Sequence, residues 1–421
     1  MTSKKLLSDT MYYALIQASN FALPLITLPY ITRVIGVEKF GVLELALVFT
    51  NFFVLLVKYG FDYTATRDIA TSKSDNLKVS NLFYSYFFSK ILIFLVAIVI
   101  FSVCAFFSES IQENFLIFFL TFMGVFADFL LPSWLYRGMG DVRFVALLSF
   151  FVKLLFLPLV FIFIVNEEDY FYRPLLMSFL SIVVAVFSVL YAMKKYSIIK
   201  CRINILKSIY FIRISTPMFL VSCFIFFSGA FNIVVIDFLG LISAVDLGNF
   251  SAAQKVIQIV QNVIVLSVSQ VFYPFFVTSF VKDESKFGSL VLITSIYLSF
   301  VGFFIGIILY FLSDLITSYL FGSGFIDSAS YIRYLAFLPL FTLLTNLFLI
   351  QGVSGMGRDA SVMIVNFLFF IINAATLVWV YSIWSVEGLL VQRNILQMVL
   401  AFFGCLMFIY YYRGYRKASS E

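Results

Sequence analysis

The chain has 421 residues, of which 62% are hydrophobic and only 12% are charged. Because about a quarter of the residues in soluble globular proteins are charged, this composition excludes an ordinary soluble enzyme. The formal net charge is +6 and histidine is absent, which excludes Ser-His-Asp and Cys-His nucleophile systems and histidine-based zinc sites. We therefore predict an all-α membrane protein with no catalytic residue, no metal site and no cofactor.

Apolar runs recur from one end of the chain to the other. Each is long enough to cross a bilayer as a helix of about 20 residues. Helices are expected because backbone polar groups in lipid must pair within their own segment. Twelve spans are predicted, near residues 12–34, 42–59, 82–107, 114–136, 145–165, 174–193, 210–237, 250–280, 288–311, 331–351, 361–382 and 386–411.

The basic residues predict how these spans are oriented. Most of the 28 lysines and arginines fall in the segments that share a side with the N-terminus, and few fall on the other side. Cytoplasmic loops of membrane proteins carry such an excess. We expect a multi-pass protein of a bacterial inner membrane, with both termini in the cytoplasm. The acidic residues 167–169 then lie outside.

Paired glycines suggest that the chain contains an internal duplication. Gly36 follows the first predicted span and Gly240 follows the seventh, while Gly140 and Gly357 follow the fourth and the tenth. Repeats of this kind are common in transporters. We predict an N-terminal six-helix lobe with a linker at 1–207 and a C-terminal six-helix lobe at 208–421, arranged around a central cavity.

Several polar side chains fall inside the apolar runs, where a charge costs about 2.5–3.5 kcal/mol on insertion scales. Amides that join helices and charges that reach the headgroups are the simpler explanation for many of them. For the deeper basic residues we favour a polar cavity between the spans. The basic and amide residues in this set are Arg33, Lys90, Lys153, Lys255, Arg393, Gln258 and Asn262, and the carboxylates are Glu44, Asp128 and Asp237.

Five segments of the chain resemble O-antigen flippases of the Wzx type. They are residues 23–30 (LPLITLPY), 33–41 (RVIGVEKFG), 59–62 (YGFD), 65–70 (ATRDIA) and 132–138 (PSWLYRG). The similarity continues at residues 245–253 (VDLGNFSAA) and at Tyr273-Pro274. The flippases belong to the multidrug/oligosaccharidyl-lipid/polysaccharide exporter superfamily. One departure is Arg137, where that family commonly has glutamine.

The resemblance implies a fold of twelve helices in two six-helix lobes, with a central cationic cavity. It also implies a cargo, an undecaprenyl-diphosphate-linked oligosaccharide, which moves from the cytoplasmic to the periplasmic leaflet. Membrane lipids, a polysaccharide polymerase and a chain-length regulator are the implied partners, and nucleic acid is not one. The basic and amide residues above would then bind the cargo, and Glu44, Asp128 and Asp237 would couple its movement to an ion.

Two other functions are compatible with a polytopic helical protein. A membrane-embedded glycosyltransferase or O-antigen polymerase usually has a large periplasmic loop, whereas the outer segments predicted here are short. A multidrug or cation antiporter of the same superfamily would favour buried carboxylates over the four buried basic residues Lys90, Lys153, Lys255 and Arg393. No P-loop is present, so ATP hydrolysis is not predicted.

Overall fold

The computed structural model describes the backbone of residues 3–202, 204–227, 229, 231–282, 284–356 and 358–418. Side chains are described from 25 to 414, with gaps at 142, 145–146, 203, 228, 230, 265–287, 289, 357 and 359. Tyr273-Pro274, Gly357 and much of the first and eighth predicted spans lie outside the described side chains. Every regular element within the described backbone is helical, which confirms the predicted all-α fold.

The α-helices follow one another along the chain with short connections. They are α1 (Ser3–Lys58), α2 (Phe61–Thr71), α3 (Asn76–Phe107), α4 (Glu109–Glu113), α5 (Phe115–Leu130), α6 (Ser133–Met139), α7 (Val142–Phe163), α8 (Tyr172–Lys195), α9 (Ile205–Phe227), α10 (Asn232–Phe238), α11 (Ala244–Lys282), α12 (Glu284–Phe311), α13 (Ser313–Leu320), α14 (Ser328–Leu335), α15 (Leu338–Thr345) and α16 (Asp359–Ala418). A 3₁₀ turn at Glu167–Phe171 precedes α8, and a π-helix at Asn346–Val353 extends α15.

Many of these helices can cross a membrane. Among the described residues, 8 helical segments are long and apolar enough by length and composition. Two of them contain 47 and 55 residues, or about 70 and 80 Å of helix, more than twice the hydrocarbon thickness. The first of these is broken at Gly36 within α1 and again at Tyr59 and Gly60 between α1 and α2, and the second is broken at Ser385 in α16. The protein is therefore a multi-pass membrane protein, while the count of twelve spans stays a prediction.

The break in α1 depends on a glycine. Gly36 has φ 72° and ψ 178°, a conformation that is essentially restricted to glycine. An added Cβ would meet nothing within 4 Å, so backbone conformation and not crowding requires glycine here. Gly240, its predicted counterpart in the second half, also has a positive φ, of 66°, and open space around the Cβ position. The two glycines thus share a sequence context and a positive φ.

The chain divides into two compact units. The first unit is Met1–Phe226 with Ile233–Ala244, and the second unit is Phe227–Asn232 with Val245–Glu421. Within the first unit, α9 is held by stacking of Phe211 on Tyr86 at 4.1 Å and by a 2.7 Å hydrogen bond between the hydroxyls of Thr64 and Ser215. The predicted lobe boundary between residues 207 and 208 stays a prediction.

The core of the first unit is aromatic. The Phe53 ring of α1 lies 6.0 Å from Phe101 of α3 and 5.2 Å from Phe122 of α5, and the last two rings stack at 4.3 Å. All three helices therefore meet at one level. Lys58 and Asp128 lie further along α1 and α5, and Lys90 lies earlier in α3. Because α3 runs antiparallel to its neighbours, these three polar residues come to the same end of the core.

The basic loop after α8 is fastened to α3 and α7. The Asn76 amide donates to the Ser197 carbonyl at 3.2 Å. The Asp141 carboxylate lies 3.0 Å from Lys195 Nζ and also accepts the Tyr196 hydroxyl. Burial raises the pKa of the Asp141 carboxyl, but the bonds from Tyr196 and Lys195 outweigh it and hold the pKa below its usual value. The carboxylate thus stays charged at neutral pH and ties the start of α7 to the end of α8.

The core of the second unit is built around the π-helix. Leu347, Phe348 and Leu349 are buried against α12 and the second half of α16. The Phe348 and Phe408 ring centroids lie 6.0 Å apart. A π-helix is rare and often marks a functional segment.

Candidate functional site

The first unit contains a cluster of charged side chains at the polar end of its aromatic core. We call Lys58, Asp62, Lys90, Asp128 and Arg137 the cationic cluster. Lys58 Nζ lies 3.1 Å from Asp128 Oδ1. The Lys58 and Asp128 side chains are 42% and 31% exposed, so this ion pair can be reached from outside the core.

A proline positions Asp128 and the residues after it. Pro132 ends α5, and Leu131 before it has φ −64° and ψ 115°, outside the helical region, as expected for a residue that precedes proline. Lys90 Nζ reaches the end of α5 and donates to the carbonyls of Asp128 at 2.7 Å and of Leu131 at 3.4 Å. With only 3% of its surface exposed, Lys90 is the most buried member of the cationic cluster.

The other two members of the cationic cluster join α2 to α6. Arg137 Nη1 lies 3.2 Å from Asp62 Oδ1, and the Ser133 hydroxyl donates to the same oxygen at 3.0 Å. The two short helices pack closely, since a Cβ at Gly138 would lie 2.6 Å from the Ile69 side chain. This close approach brings Asp62 and Arg137 together.

The charges of the cationic cluster do not balance. Lys58, Lys90 and Arg137 supply three positive charges against two from Asp62 and Asp128, among helices that are otherwise apolar. Opposite charges in such surroundings interact more strongly than in water. The arrangement favours an added anion that offers several oxygens, and phosphate is the best match for lysine and arginine donors.

A cavity adjoins the cationic cluster. Its volume is about 340 Å³, and it lies among α5, α7 and α8. Asp128 and Lys153 are its charged lining residues, and Ser149 and Ser181 add hydroxyls. The rest of the wall is apolar, with Leu131 among the lining residues. The structure thus brings the predicted residues Asp128 and Lys153 to one cavity.

Glu44 lies elsewhere in the first unit, in a buried ion pair. Its Oε1 accepts a hydrogen bond from Arg173 Nη2 at 2.8 Å, and the side chains of Glu44 and Arg173 are 8% and 15% exposed. The Arg173 guanidinium also lies 5.9 Å from the centre of the Phe40 ring. This pair joins the second half of α1 to the start of α8.

In the second unit, glutamine and threonine side chains join the helices. The Gln261 amide donates to Thr342 Oγ1 at 2.7 Å, and the Gln397 amide donates to Thr345 Oγ1 at 3.0 Å. Each threonine hydroxyl in turn donates to the carbonyl four residues before it. A hydroxyl can donate and accept at once. These bonds therefore connect α11, α15 and α16 without any charge.

A second amide group lies deeper in the same unit. Asn232 and Asn373 exchange hydrogen bonds at 3.2 and 2.8 Å, and they are only 9% and 3% exposed. Gln392 donates to Thr376 Oγ1 at 2.7 Å, while its own Oε1 is buried without a partner. Amides and hydroxyls of this kind are groups that also bind sugar hydroxyls.

The predicted basic and amide residues of the second unit lie on α11 and α16. Lys255 is half-buried, while Gln258 and Asn262 are exposed one helical turn apart, on one face of α11. Arg393 has one guanidinium nitrogen, Nη1, that is buried without a hydrogen-bond partner. A buried donor of this kind calls for a ligand or water.

Two predicted residues of the first unit lie apart from the cationic cluster. Arg33 is exposed on the first half of α1. Asp237 is half-buried on α10, where its side chain hydrogen-bonds with Ser110. Within the described residues, no group of three or more Cys, Asp or Glu side chains has an arrangement that could hold a metal ion. The assignment of Arg33, Glu44 and Asp237 to binding or coupling stays a prediction.

Sequence reasoning did not include Lys58, Asp62, Arg137 and Arg173 among the site residues. Lys58 carried a usable signal, since it lies fourteen residues after Glu44 on the same helix face. Asp62 and Arg137 lie inside two of the segments that resemble the flippases. What was missing was the contact between α2 and α6, which brings together residues 75 positions apart in the chain.

Known proteins match the chain over most of its length. Residues 6–280 match the family described as "Polysaccharide biosynthesis protein". The chain belongs to this family. It is 26% identical over 350 residues to the "Putative O-antigen transporter" of Escherichia coli (strain K12), with 82% of each chain covered. It is 22% identical over 384 residues to a protein of the same name in Shigella dysenteriae, with 88% of this chain and 92% of that protein covered.

Solved structures show that this family member has a transporter fold. A multidrug resistance MATE family transporter of the MOP superfamily, in its inward-facing conformation, matches with TM-score 0.72 and 16% identity. That match covers 94% of this chain and 96% of the other. An outward-facing MATE structure of the superfamily matches with TM-score 0.55 and 18% identity, and 98% and 95% of the two chains are covered. The resemblance to O-antigen transporters is confirmed by these relatives, and the solved structures confirm the two-lobed fold class.

Proposed function

We propose that the protein is a flippase that moves an undecaprenyl-diphosphate-linked oligosaccharide, an O-antigen or related repeat unit, from the cytoplasmic to the periplasmic leaflet of the bacterial inner membrane. It binds and releases this cargo without chemical change. Family membership supports a role in polysaccharide biosynthesis, and the fold supports transport. The curated relatives named as O-antigen transporters support the class of cargo.

The cationic cluster is the observation that carries the proposal. A diphosphate cannot cross hydrocarbon unaided, because a desolvated charge there is costly. In our proposal its oxygens bind Lys58 and Arg137, which are each 42% exposed and held by carboxylates. Asp128 and Asp62 act as counter-ions when no cargo is present. Lys153, on the wall of the adjoining cavity, adds a further positive charge.

The second unit supplies groups that suit the sugars. We propose that Gln258, Asn262 and Lys255 of α11 bind sugar hydroxyls, together with Arg393 of α16. Gln258 and Asn262 are exposed, and Arg393 has an unpaired buried donor. Hydrogen bonds to sugar hydroxyls can replace hydrogen bonds to water at little net cost, so a set of amides permits binding and release.

Deletion of the gene tests the proposed function. Lipid-linked oligosaccharides are extracted from the deletion strain and identified by mass spectrometry, and periplasmic access is measured with an enzyme added to spheroplasts. We expect a complete repeat unit on undecaprenyl diphosphate to accumulate, protected from the enzyme. Complementation with the wild-type gene should restore surface polysaccharide. An unchanged lipid pool, or accumulation of a truncated repeat unit, contradicts the flippase and favours a role in synthesis.

The proposed direction of transport requires a defined topology. We propose that both termini and the loop after α8 face the cytoplasm, since basic residues concentrate there. Reporter fusions that are active only in the cytoplasm or only in the periplasm, placed at Lys200 and at Ser420, check this. Both fusions should be cytoplasmic. A periplasmic signal at either position would reverse the orientation.

A further inference from the structure

We infer that Lys90 is a positioning residue, whose ammonium group takes the place of the backbone N–H that Pro132 cannot supply. In this role it holds the broken end of α5 and keeps Asp128 directed at Lys58. The sequence alone had suggested that Lys90 contacts the cargo. Its effect on transport rests on the proposed function, whereas its effect on stability does not.

The first step concerns the hydrogen bonds of α5. In an α-helix the carbonyl of residue i accepts the N–H of residue i+4. The Ala127 carbonyl is satisfied in this way by the Leu131 N–H at 2.9 Å. For Asp128 the donor would be residue 132, which is proline and has no N–H. The Asp128 carbonyl is thus the first in α5 to lose its partner.

The second step is that Lys90 supplies the missing donor. Its Nζ lies 2.7 Å from the Asp128 carbonyl oxygen and 3.4 Å from that of Leu131. An ammonium group has three donors and no acceptor, so it can bond several carbonyls at once. A positive charge is also favoured at the C-terminus of a helix, where the peptide dipoles leave partial negative charge. Lys90 therefore caps α5 from a neighbouring helix.

The third step separates this role from contact with cargo. Lys90 is only 3% exposed, and it is not one of the residues that line the adjoining cavity, although Asp128 and Leu131 are. Its donors point at the backbone of the residues whose side chains face that cavity. Lys90 thus acts through Asp128, whose carboxylate lies 3.1 Å from Lys58 on the other side.

The test removes the lysine in one variant, restores the missing backbone N–H in a second, and combines both changes in a third. Purified Lys90→Met, Pro132→Ala and the double variant are compared with the wild type by thermal unfolding in detergent and by transport in reconstituted vesicles. Lys90→Met should lower the unfolding temperature and slow transport about tenfold, because it leaves a buried carbonyl unpaired. Pro132→Ala restores the N–H. In the Pro132→Ala background, Lys90→Met should slow transport by less than about threefold. It should also lower the unfolding temperature by less than it does in the wild type.

A matched control uses another lysine of the same helix. Lys78 is 71% exposed and pairs with Asp75, so Lys78→Met should show the same small effect with or without Pro132→Ala. Lys90→Arg, which keeps several donors, should retain most of the stability.

Two results would overturn the inference. One is additivity, in which Lys90→Met costs as much in the Pro132→Ala background as it does in the wild type. The other is an unchanged or raised unfolding temperature for Lys90→Met alone, as expected for a residue whose charge serves only the cargo. The second result decides the matter even if Pro132→Ala does not fold. Neither stability measurement needs cargo, so the inference can fail while the proposed function stands.

Discussion

The polar contacts around the candidate site residues differ in chemistry between the two units. In the first unit, ion pairs join the helices: Lys58 with Asp128, Arg137 with Asp62, and Arg173 with Glu44. In the second unit, glutamine amides donate to threonine hydroxyls, and Asn232 pairs with Asn373. The first kind of contact involves charged groups, and the second involves only neutral ones.

In our proposal, the difference matches a cargo that has two unlike parts. A site for a diphosphate needs positive charge, and among apolar helices that charge needs counter-ions until the cargo arrives. In our proposal, Asp62 and Asp128 are these counter-ions in the first unit. A site for sugars needs hydrogen bonds that exchange easily, as those between amides and hydroxyls do. We therefore expect changes in the first unit to affect charge and voltage dependence, and those in the second to affect sugar preference.

The largest expected effect is that of membrane potential on transport. A diphosphate carries about two negative charges, and moving them outward from a negative cytoplasm gains about 4–5 kcal/mol per 100 mV. That gain biases the equilibrium on the order of a thousandfold. Vesicles with an imposed potential and no ion gradient should transport faster when the cargo side is negative and slower when the sign is reversed.

A rival scheme places the driving force on the carboxylates. Glu44, Asp128 and Asp237 would then exchange protons or sodium ions for cargo. In that case potential alone has no effect, and a proton or sodium gradient accelerates transport strongly. Such a result would assign the main role in driving transport to the carboxylates of the first unit and not to its lysines and arginines.

The next largest effect is expected at the buried ion pair of the first unit. Glu44→Gln leaves the Arg173 charge buried without its partner, since the side chains are only 8% and 15% exposed. We expect a loss of about 3–5 kcal/mol in the free energy of unfolding, measured in detergent. The control is Asp314→Asn in the second unit. Its ion pair with Arg333 is exposed, and its loss should cost under about 1 kcal/mol. Equal losses in the free energy of unfolding for both variants would contradict the distinction between the buried and the exposed ion pair.

A smaller loss is expected at the paired amides of the second unit. Asn373→Ala leaves both groups of the buried Asn232 amide unpaired, and this should cost about 2 kcal/mol in the same assay. The double variant with Asn232→Ala should cost less than the sum of the two single changes. A strictly additive pair of losses would show that the two side chains do not depend on each other.

The smallest effect on stability is expected at Arg137. Its side chain is 42% exposed, so Arg137→Gln should change the free energy of unfolding by under about 1 kcal/mol. Transport should nevertheless fall about tenfold, because a hydrogen bond to a charged group contributes about 1.5 kcal/mol or more. Glutamine is common at this position in the family that the chain resembles. Normal transport by the variant would remove Arg137 from the cargo site.

The fold was largely predictable because the bilayer restricts the choices. Long apolar runs in lipid have to be helices, and the interval between the first two predicted spans contains Gly36, where α1 is broken. The cationic cluster was predictable only in part. Lys90, Lys153 and Asp128 stood out because a charge inside an apolar run is rare. Lys58 did not, because a charge near a helix end has a simpler explanation in the headgroup region.

The role of Lys90 could not be predicted from the sequence, for a different reason. A buried lysine and a proline 42 residues later have no visible relation until α3 and α5 are packed side by side. The same holds for Gln261 and Thr342, which are 81 residues apart. Composition shows that the apolar runs contain polar side chains, but only the tertiary contacts show which hydrogen-bond partner each of them has.

Transport by the purified protein in vesicles tests the central claim most directly. One leaflet is loaded with an undecaprenyl-diphosphate-linked oligosaccharide, and its appearance in the other leaflet is followed with an enzyme that cannot cross. We expect the wild-type protein to transport the lipid much faster than protein-free vesicles do. The double variant with Lys58→Met and Arg137→Gln should transport it more slowly than the wild type. A monophosphate-linked oligosaccharide with the same sugars should move more slowly. No acceleration by folded protein would contradict the account, and so would equal rates for the two lipids.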